Sequence, residues 1–233
     1  MSDGLPVVLV PGLNCSARLY APQLPALWRV GPVTVADHTR DLSIGAIARR
    51  ILSLAPPRFA LVGLSMGGYI ALEIMRQAAD RVARLALLDT SARPDLPEAS
   101  AKRHVNIAAA EEGRFEAIIA AQFPLYVHAS RQNDAALKAD YLAMCRDVGP
   151  QAYVRQQQAI LTRIDSRPSL TAIRCPTLVL VGAQDEATPP ALAEEMAFAI
   201  PASRLAVVPD CGHLATLERP EAVTAELVAW LSA

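Results

Sequence analysis

Short apolar runs recur along the chain, and segments with helical periodicity separate them. The runs are four to six residues long and rich in Val, Leu and Ala, which is typical of strands. The run at residues 5–10, LPVVLV, has no polar position, as expected for a strand that is covered on both faces. The six runs occupy residues 5–10, 33–36, 59–63, 84–89, 177–181 and 204–208.

Helical patterns fill most of the intervals between these runs. Apolar residues recur every three or four positions after Ser43, a candidate N-cap, and Pro56-Pro57 ends that pattern. Ser16 can cap a short helix through Leu27. Because strands alternate with helices, the chain is predicted to form βαβ units. The predicted fold is therefore α/β, with a mostly parallel sheet of about six strands flanked by helices.

The alternation of strand runs and helical patterns stops between residues 91 and 168, where no apolar strand run occurs. Three stretches of helical spacing stand there instead, which predicts an inserted cap of three or four helices. The first contains Phe115 and Phe123, the second Tyr141, and the third Tyr153. The predicted division is an α/β core at 1–92, a helical cap at 93–167 and the rest of the core at 168–233.

The amino-acid composition and net charge limit the classes of molecule that the protein is expected to bind. The chain has 233 residues, 52% of them hydrophobic, and a net charge of -1, which exclude a disordered chain and disfavour nucleic acid or an anionic membrane as partner. We find no signal peptide and no apolar run of membrane-spanning length, so a cytoplasmic protein is expected. The four cysteines are scattered, which predicts reduced thiols and no zinc site.

The sharpest chemical signal ends the third run, where Gly63-Leu64-Ser65-Met66-Gly67 has the G-x-S-x-G pattern. An apolar helical pattern follows at once, so strand, tight turn and helix are predicted in register. Such a turn strains the serine backbone and leaves room only for small residues two positions away. Ser65 is the candidate nucleophile, and a glycine-rich turn that merely packs closely is the alternative interpretation.

Two more polar residues follow apolar runs. Asp185 follows the fifth run and His213 follows the sixth. The C-terminal ends of parallel strands lie along one edge of a sheet, so Ser65, Asp185 and His213 are expected to meet there. His213 would take the proton of Ser65, and Asp185 would orient the imidazole. The main-chain N–H groups of Leu13 and Met66 are the candidate oxyanion donors, each contributing about 3 kcal/mol to transition-state stabilisation.

These residues and their surroundings resemble the α/β-hydrolase superfamily, in its serine hydrolase and esterase branch with a single helical lid. The resemblance covers nearly everything outside residues 93–167 and implies Ser65, Asp185 and His213 as the catalytic triad. In some hydrolases of this fold the acid follows the earlier strand, so Asp89 is the alternative acid. The motifs are VVLVPGLN at 7–14, LVGLSMGG at 61–68, LLDTSA at 87–92, PTLVLVGAQDEATPP at 176–190 and VVPDCGHLATLERPEAV at 207–223.

The sequence departs from the family pattern in its first loop and at its start. Pro11-Gly12 stands where many members have His-Gly, which bears on the second oxyanion donor. The chain begins at what is usually the third strand of the fold, which is why about six strands are expected. A serine nucleophile disfavours the dehalogenase and epoxide-hydrolase branches, which use a carboxylate.

The predicted function is hydrolysis of a carboxylic ester of a small or medium apolar acyl compound, through an acyl-enzyme on Ser65. No cofactor or metal is required, the partner is a small ester-like molecule, and a monomer or homodimer is expected. Enol-lactone, thioester and carbon–carbon bond hydrolysis and acyl transfer use the same triad and stay open. A small-molecule receptor of this fold with little turnover is the alternative from another class.

Several cap residues are candidates for contact with the substrate. An apolar pocket is expected to be walled by cap residues that include Phe115, Phe123, Tyr126 and Tyr153. For any single one of them, packing inside the cap is the favoured interpretation. One of the glutamines at 156–158 is expected to face the substrate. A salt-bridge cluster is predicted for Arg163, Asp165 and Arg167, with a substrate carboxylate on one arginine as the alternative. Cys15 and Cys211 are expected near the pocket, without a catalytic role.

Overall fold

A computed structural model of the protein describes residues 4–233, so residues 1–3 of the predicted core lie outside the described part. The sheet has six strands, all paired in parallel, which confirms the predicted α/β class and strand number. The strands are β1 (Val7–Val10), β2 (Val33–Val35), β3 (Phe59–Leu64), β4 (Val82–Leu88), β5 (Thr177–Gly182) and β6 (Ser203–Val208). Their order across the sheet is β2-β1-β3-β4-β5-β6.

Helices connect consecutive strands and flank the sheet. Short 3₁₀ turns lie at Ala17–Tyr20, Ala79–Arg81 and Ala129–Arg131. The helices are α1 (Leu24–Leu27), α2 (Ile44–Leu54), α3 (Met66–Ala78), α4 (Pro97–Glu111), α5 (Phe115–Tyr126), α6 (Ala135–Val148), α7 (Pro150–Leu161), α8 (Arg167–Leu170), α9 (Pro190–Ala199), α10 (Ala215–Glu218) and α11 (Pro220–Ser232). Within residues 4–233, no helix has the length and apolar content needed to cross a membrane.

The central strands are buried on both faces, which explains why their sequences are almost continuously apolar, whereas the edge strands β2 and β6 are partly exposed. Successive side chains of a strand point to opposite faces. Val7 and Leu9 belong to the core that α1, α11 and the helices between β4 and β5 cover. Val8 and Val10 belong to the core beneath α2, α3 and α9. The side chains of β3, β4 and β5 alternate between the two cores in the same way. These central strands are therefore held from both faces, which fixes the position of the edge at which they end.

The chain after Ser16 differs from the predicted continuous helix. The Ser16 hydroxyl accepts a hydrogen bond from the Arg18 N–H and caps a 3₁₀ turn that ends at Tyr20, and α1 starts only at Leu24. Pro22 and Pro25 have no N–H to donate, so an unbroken helical hydrogen-bond ladder cannot form across this segment. Ser43, by contrast, caps α2 as predicted, with its hydroxyl accepting from the Ala46 N–H.

The segment between β4 and β5 contains four long helices, α4 to α7. Helical spacing predicts three of them, whereas α4 has no clear apolar stripe, and only Ala109 and Ala110 on it are buried. Helix α4 packs on α5 and α7, which together supply its stability. The boundaries of the cap, residues 93 and 167, stay a prediction.

Candidate active site

Ser65 lies in the tight turn between β3 and α3, and its backbone is strained. Its φ of 55° and ψ of −116° fall in a region that a residue with a side chain rarely adopts. A Cβ on Gly63 would stand 2.3 Å from the Gly67 carbonyl oxygen, and one on Gly67 would stand 2.0 Å from the Val10 oxygen. Glycine is therefore required at both positions, as the sequence pattern predicts.

Ser65, His213 and Asp185 meet at the C-terminal edge of the sheet. The Nε2 atom of His213 lies 2.9 Å from the Ser65 hydroxyl oxygen, and its Nδ1 atom lies 2.8 Å from Oδ2 of Asp185. Asp185 and His213 are buried, whereas Ser65 is half-buried. With the imidazole proton on Nδ1, His213 donates to Asp185 and accepts the Ser65 hydroxyl proton.

Asp185 is held by more donors than His213 alone. Its Oδ1 accepts from the main-chain N–H groups of Ala187 and Thr188, at 2.8 and 2.9 Å. The Thr188 hydroxyl donates to Oδ2 at 2.7 Å and lies 3.3 Å from His213 Nδ1. Burial by itself raises the pKa of Asp185, but the facing His213 and these hydrogen bonds outweigh burial and lower that pKa. The carboxylate therefore stays ionised beside the imidazole.

His213 is fixed at both its backbone and its ring. Its N–H donates to the Tyr126 carbonyl at 2.9 Å, and the Tyr126 ring lies 5.4 Å from the imidazole, centroid to centroid. Burial alone lowers the pKa of the imidazole, but the Asp185 carboxylate, with smaller contributions from Asp89 and Glu218, raises it overall. A pKa above the usual value suits a base that must accept a proton from a hydroxyl.

Asp89, the alternative acid, has other partners. Its Oδ1 accepts from the Gly182 N–H at 2.9 Å and its Oδ2 from the Ala215 N–H at 3.4 Å. Within residues 4–233 it makes no hydrogen bond to His213. Burial, and then the charge of Asp185, raise the pKa of this carboxyl well above its usual range. Asp89 thus ties β5 to α10, and the geometry favours Asp185 as the partner of the histidine.

The two candidate oxyanion donors flank Ser65. Met66 opens α3, and Leu13 lines the cavity that contains Ser65. Within the described chain, neither main-chain N–H donates a hydrogen bond to another residue. The Leu13 loop is anchored on both sides: the Gly12 carbonyl lies 2.9 Å from His38 Nε2, and the Asn14 N–H donates to Gln156 Oε1 at 2.9 Å. These contacts hold the loop although Pro11 replaces the family's histidine.

Ser65 lines an inner cavity, and an outer cleft adjoins that cavity. The inner cavity, of about 100 Å³, is bounded by Ser65 and His213. The outer cleft, of about 640 Å³, lies between α4, α5 and α7. They share four lining residues, namely Leu13, Arg103, Tyr126 and Ala187. A small acyl compound therefore has room at Ser65 and a path outward under the helices.

Only one of the four predicted wall residues lines these spaces. Tyr126 borders both, whereas Phe115, Phe123 and Tyr153 are buried in packing among the cap helices. The rings of Phe115 and Tyr153 are 5.6 Å apart, edge to face, which is typical of aromatic core packing. The expected role in the pocket wall therefore holds for Tyr126 alone. For the other three that role is wrong and the packing interpretation is correct, because they point into the interior of the cap.

The three glutamines at 156–158 also differ in what their side chains contact. Gln156 supports the Leu13 loop, whereas Gln157 lines the outer cleft and donates to the Tyr153 hydroxyl at 2.7 Å. Gln158 is half-buried and lines neither space. Gln157 is thus the glutamine that faces the space open to a substrate.

The predicted cluster of Arg163, Asp165 and Arg167 does not form as a unit. Arg167 pairs with Asp165, but Arg163 turns to Asp95, with Nη2 2.8 Å from Oδ1. The guanidinium of Arg163 also lies 3.9 Å from the centre of the Tyr69 ring. Arg163 turns away from Asp165 because a buried carboxylate and an aromatic face together satisfy a largely buried cation better than the half-buried carboxylate of Asp165 does.

The cysteines near the site are buried thiols. Cys15 lines the inner cavity, as expected, whereas Cys211 lies outside its lining. Burial raises the pKa of both thiols, so neither forms a thiolate nucleophile readily. No group of three or more His, Cys, Asp or Glu side chains in residues 4–233 is arranged to hold a metal ion.

Three residues of the site have no part in the predictions from sequence. Thr188 donates hydrogen bonds to Asp185 from its main-chain N–H and its hydroxyl. The sequence signal for this role is a threonine three residues after an aspartate in a loop. Glu218 accepts from the N–H groups of Gly212 and Leu214, at 3.0 and 3.3 Å, and so holds the histidine loop. Arg103 lines both spaces from a helix whose pattern is too weak to predict, so no sequence signal identifies it.

Comparison with known proteins shows that the chain is similar to several hydrolases in sequence and fold. The chain is 33% identical to a thermophilic esterase from Thermogutta terrifontis, solved with malate bound, with a TM-score of 0.89 over 99% of this chain and 90% of that one. An enol-lactonase from Burkholderia xenovorans is 27% identical, with a TM-score of 0.90 over 100% and 93% of the two chains. A pimeloyl-[acyl-carrier protein] methyl ester esterase of Aromatoleum aromaticum is 30% identical over 92% of this chain and 93% of its own.

The sequence model of the alpha/beta hydrolase family matches residues 7–227, which is nearly the whole chain and includes Ser65, Asp185 and His213. The match spans the sheet and the helices inserted between β4 and β5. The protein therefore belongs to the alpha/beta hydrolase family.

Proposed function

We propose that the protein is a serine hydrolase that cleaves a carboxylic ester of a small or medium acyl compound with an apolar chain. Ser65 is the nucleophile, His213 the general base and Asp185 the acid that orients it. The observation that carries the proposal is the hydrogen-bonded series from Ser65 Oγ to His213 Nε2, at 2.9 Å, and from His213 Nδ1 to Asp185 Oδ2, at 2.8 Å. Ser65 lies in a strained turn that exposes its hydroxyl to the inner cavity.

The reaction has two steps. Ser65 Oγ attacks the ester carbonyl while His213 Nε2 takes its proton, and the protonated imidazole returns that proton to the leaving alcohol. Water activated by His213 then attacks the acyl-enzyme and releases the acid. In both steps the negative charge on the carbonyl oxygen is stabilised by the N–H groups of Leu13 and Met66 and by the positive end of α3.

We propose that residues 93–167 act as the cap that selects the acyl group. Helices α4, α5 and α7 of this segment line the outer cleft, and Tyr126 at the end of α5 reaches the imidazole. Enol-lactone hydrolysis is the second candidate activity, supported by the likeness to the Burkholderia enol-lactonase. A lactone places the same carbonyl at Ser65, and its leaving oxygen stays attached to the acyl chain.

Turnover of p-nitrophenyl esters from acetate to dodecanoate tests the proposal, with the wild type beside Ser65→Ala. Repeated turnover by the wild type and loss of at least about a thousandfold in the variant are expected. An optimum at short chains is expected from the small inner cavity. A single burst without turnover would favour a receptor, and equal activity of both proteins would overturn the proposal.

A further inference from the structure

Among residues 4–233, Arg103 is the one arginine or lysine whose side chain borders the inner cavity with Ser65 and His213. It reaches there from α4 and also lines the outer cleft. Its side chain is only 18% exposed, and its neighbours in the cavity include apolar side chains such as Leu64 and Ile160. A cation that is nearly desolvated beside a reacting carbonyl attracts negative charge much more strongly than one in water does.

The guanidinium of Arg103 has hydrogen-bond capacity to spare. Nε and Nη2 donate to the carboxylate of Asp95, and Nη1 donates to Gln157 Oε1 at 2.7 Å. These bonds use three of the five N–H donors of an arginine. No acceptor in residues 4–233 takes the other two, one on each terminal nitrogen.

The buried charges around Arg103 do not balance. Asp95, whose side chain is 7% exposed, is shared between Arg103 and Arg163, and the Arg163 side chain is itself only 10% exposed. Two of the Arg163 nitrogens, Nε and Nη1, are buried without an acceptor within the described chain. One carboxylate thus faces two guanidiniums, so the cluster of Asp95, Arg103 and Arg163 carries a net positive charge.

The inner cavity offers a further polar group without a strong partner. The hydroxyl of Tyr141, which lines the cavity, is buried, and within residues 4–233 its one neighbour for hydrogen bonding is the thiol of Cys145, a weak acceptor outside ordinary hydrogen-bond geometry. Burial raises the pKa of this hydroxyl, so it keeps its proton and can donate. A buried hydroxyl without a strong acceptor is costly, and a ligand that supplies an oxygen acceptor removes that cost.

We propose that Arg103 binds a carboxylate carried by the acyl part of the substrate, so that the enzyme prefers half-esters or lactones of short dicarboxylic acids. This inference rests on the proposed function, because it places the substrate's ester carbonyl at Ser65, and it narrows the acyl group to a short apolar chain that ends in a carboxylate. The planar guanidinium can present its two spare N–H groups to both oxygens of a carboxylate. Since Ser65 and Arg103 border one cavity of about 100 Å³, a chain of a few carbons spans the two groups.

The outer cleft has the charge expected of an entrance for anions. Lys102 and Arg114 line it together with Arg103, and Glu186 is the single acidic side chain of the described chain in its lining. Such an excess of one sign raises the local concentration of substrates of the opposite sign. Lys102 is exposed and borders only the outer cleft, so it provides a matched comparison for Arg103 from the same helix.

The test compares charged and neutral esters of equal chain length. The monomethyl esters of butanedioic, pentanedioic and hexanedioic acid are paired with methyl butanoate, pentanoate and hexanoate, and kcat/KM is measured by methanol release. The wild type is expected to favour the charged ester of its best pair by about tenfold or more. In Arg103→Met the charged-to-neutral ratio is expected to fall about 10- to 150-fold, which corresponds to one lost charge-assisted contact.

Lys102→Met removes the same charge from the cleft and is expected to change that ratio less than about threefold. A wild-type ratio of one or less at every chain length would overturn the proposal, whether or not Arg103→Met folds. A preference that survives in Arg103→Met would overturn it as well. If methyl esters turn over too slowly, the same pairs are compared as competitive inhibitors of p-nitrophenyl acetate hydrolysis. Absence of all ester turnover would instead contradict the proposed function.

Discussion

The side-chain oxygen of Gln156, on α7, accepts a hydrogen bond from the main-chain N–H of Asn14 at 2.9 Å. This bond joins a helix of the cap segment to the loop that carries Leu13. On the other side of the loop, His38 Nε2 lies 2.9 Å from the Gly12 carbonyl and 3.0 Å from the amide nitrogen of Gln156. The position of the Leu13 N–H therefore depends on a residue far away in the sequence.

Gln156→Met should lower kcat by about tenfold and change KM little. The variant keeps the shape of the side chain but leaves the Asn14 N–H buried without an acceptor, so the Leu13 donor shifts from its place. Removing an oxyanion donor outright costs about 100-fold or more, so a misplaced one should cost less. Steady-state kinetics on p-nitrophenyl butyrate provide the measurement. Gln158→Met, at a half-buried position outside both spaces, is the control, and full kcat in Gln156→Met would exclude this role.

The two buried aspartates should respond differently to amide substitution. Asp185→Asn is expected to lower kcat by about 10⁴-fold, because the amide cannot stabilise the imidazolium and favours the wrong tautomer. Asp89→Asn should keep most of the activity, since its Oδ1 can still accept from the Gly182 N–H and its carboxyl pKa is already raised. Kinetics of both variants, with thermal unfolding to verify folding, make the comparison. The reverse order of activities would assign the acid to Asp89.

The pH dependence of kcat/KM should report the imidazole of His213. Catalysis needs the neutral base, so activity should rise with pH through the pKa of His213. The Asp185 charge raises that pKa, so the midpoint should lie above the usual value of about 6.5. In Asp185→Asn the residual activity should have its midpoint at lower pH, because the imidazolium has lost its negative partner. A midpoint that stays the same or moves upward in Asp185→Asn would contradict this assignment.

Gly67→Ala should destabilise the protein by about 1–3 kcal/mol or more, because the new Cβ would stand 2.0 Å from the main-chain oxygen of Val10. Gly45→Ala is the matched control. Gly45 lies in α2, and its nearest neighbour would be 3.5 Å away, the end of the flexible Glu73 side chain. The control should be neutral or stabilise the protein by up to about 1 kcal/mol. Urea unfolding measures both, and equal stability of the two variants would refute the steric argument.

The central strands could be predicted because each is covered on both faces, which leaves an unbroken apolar run such as residues 177–181. The meeting of Ser65, Asp185 and His213 could be predicted because parallel strands end at one edge. Helix α4 and the direction of the Arg163 side chain could not. Both depend on packing between segments distant in sequence. The burial of Phe123 inside the cap could not be predicted either, because a residue has the same helical spacing whether it faces a cavity or a core.

The most direct test of the account is the rate and position of labelling by a fluorophosphonate, which reacts covalently with an activated serine. Intact-mass measurement should show one adduct per chain, and peptide mapping should place it on Ser65. Ser65→Ala should take up none. In His213→Ala, Ser65 should react more slowly by about a thousandfold or more, because the serine hydroxyl has lost its general base. Labelling of Ser65→Ala at the wild-type rate, or an adduct on another residue of the wild type, would contradict the account.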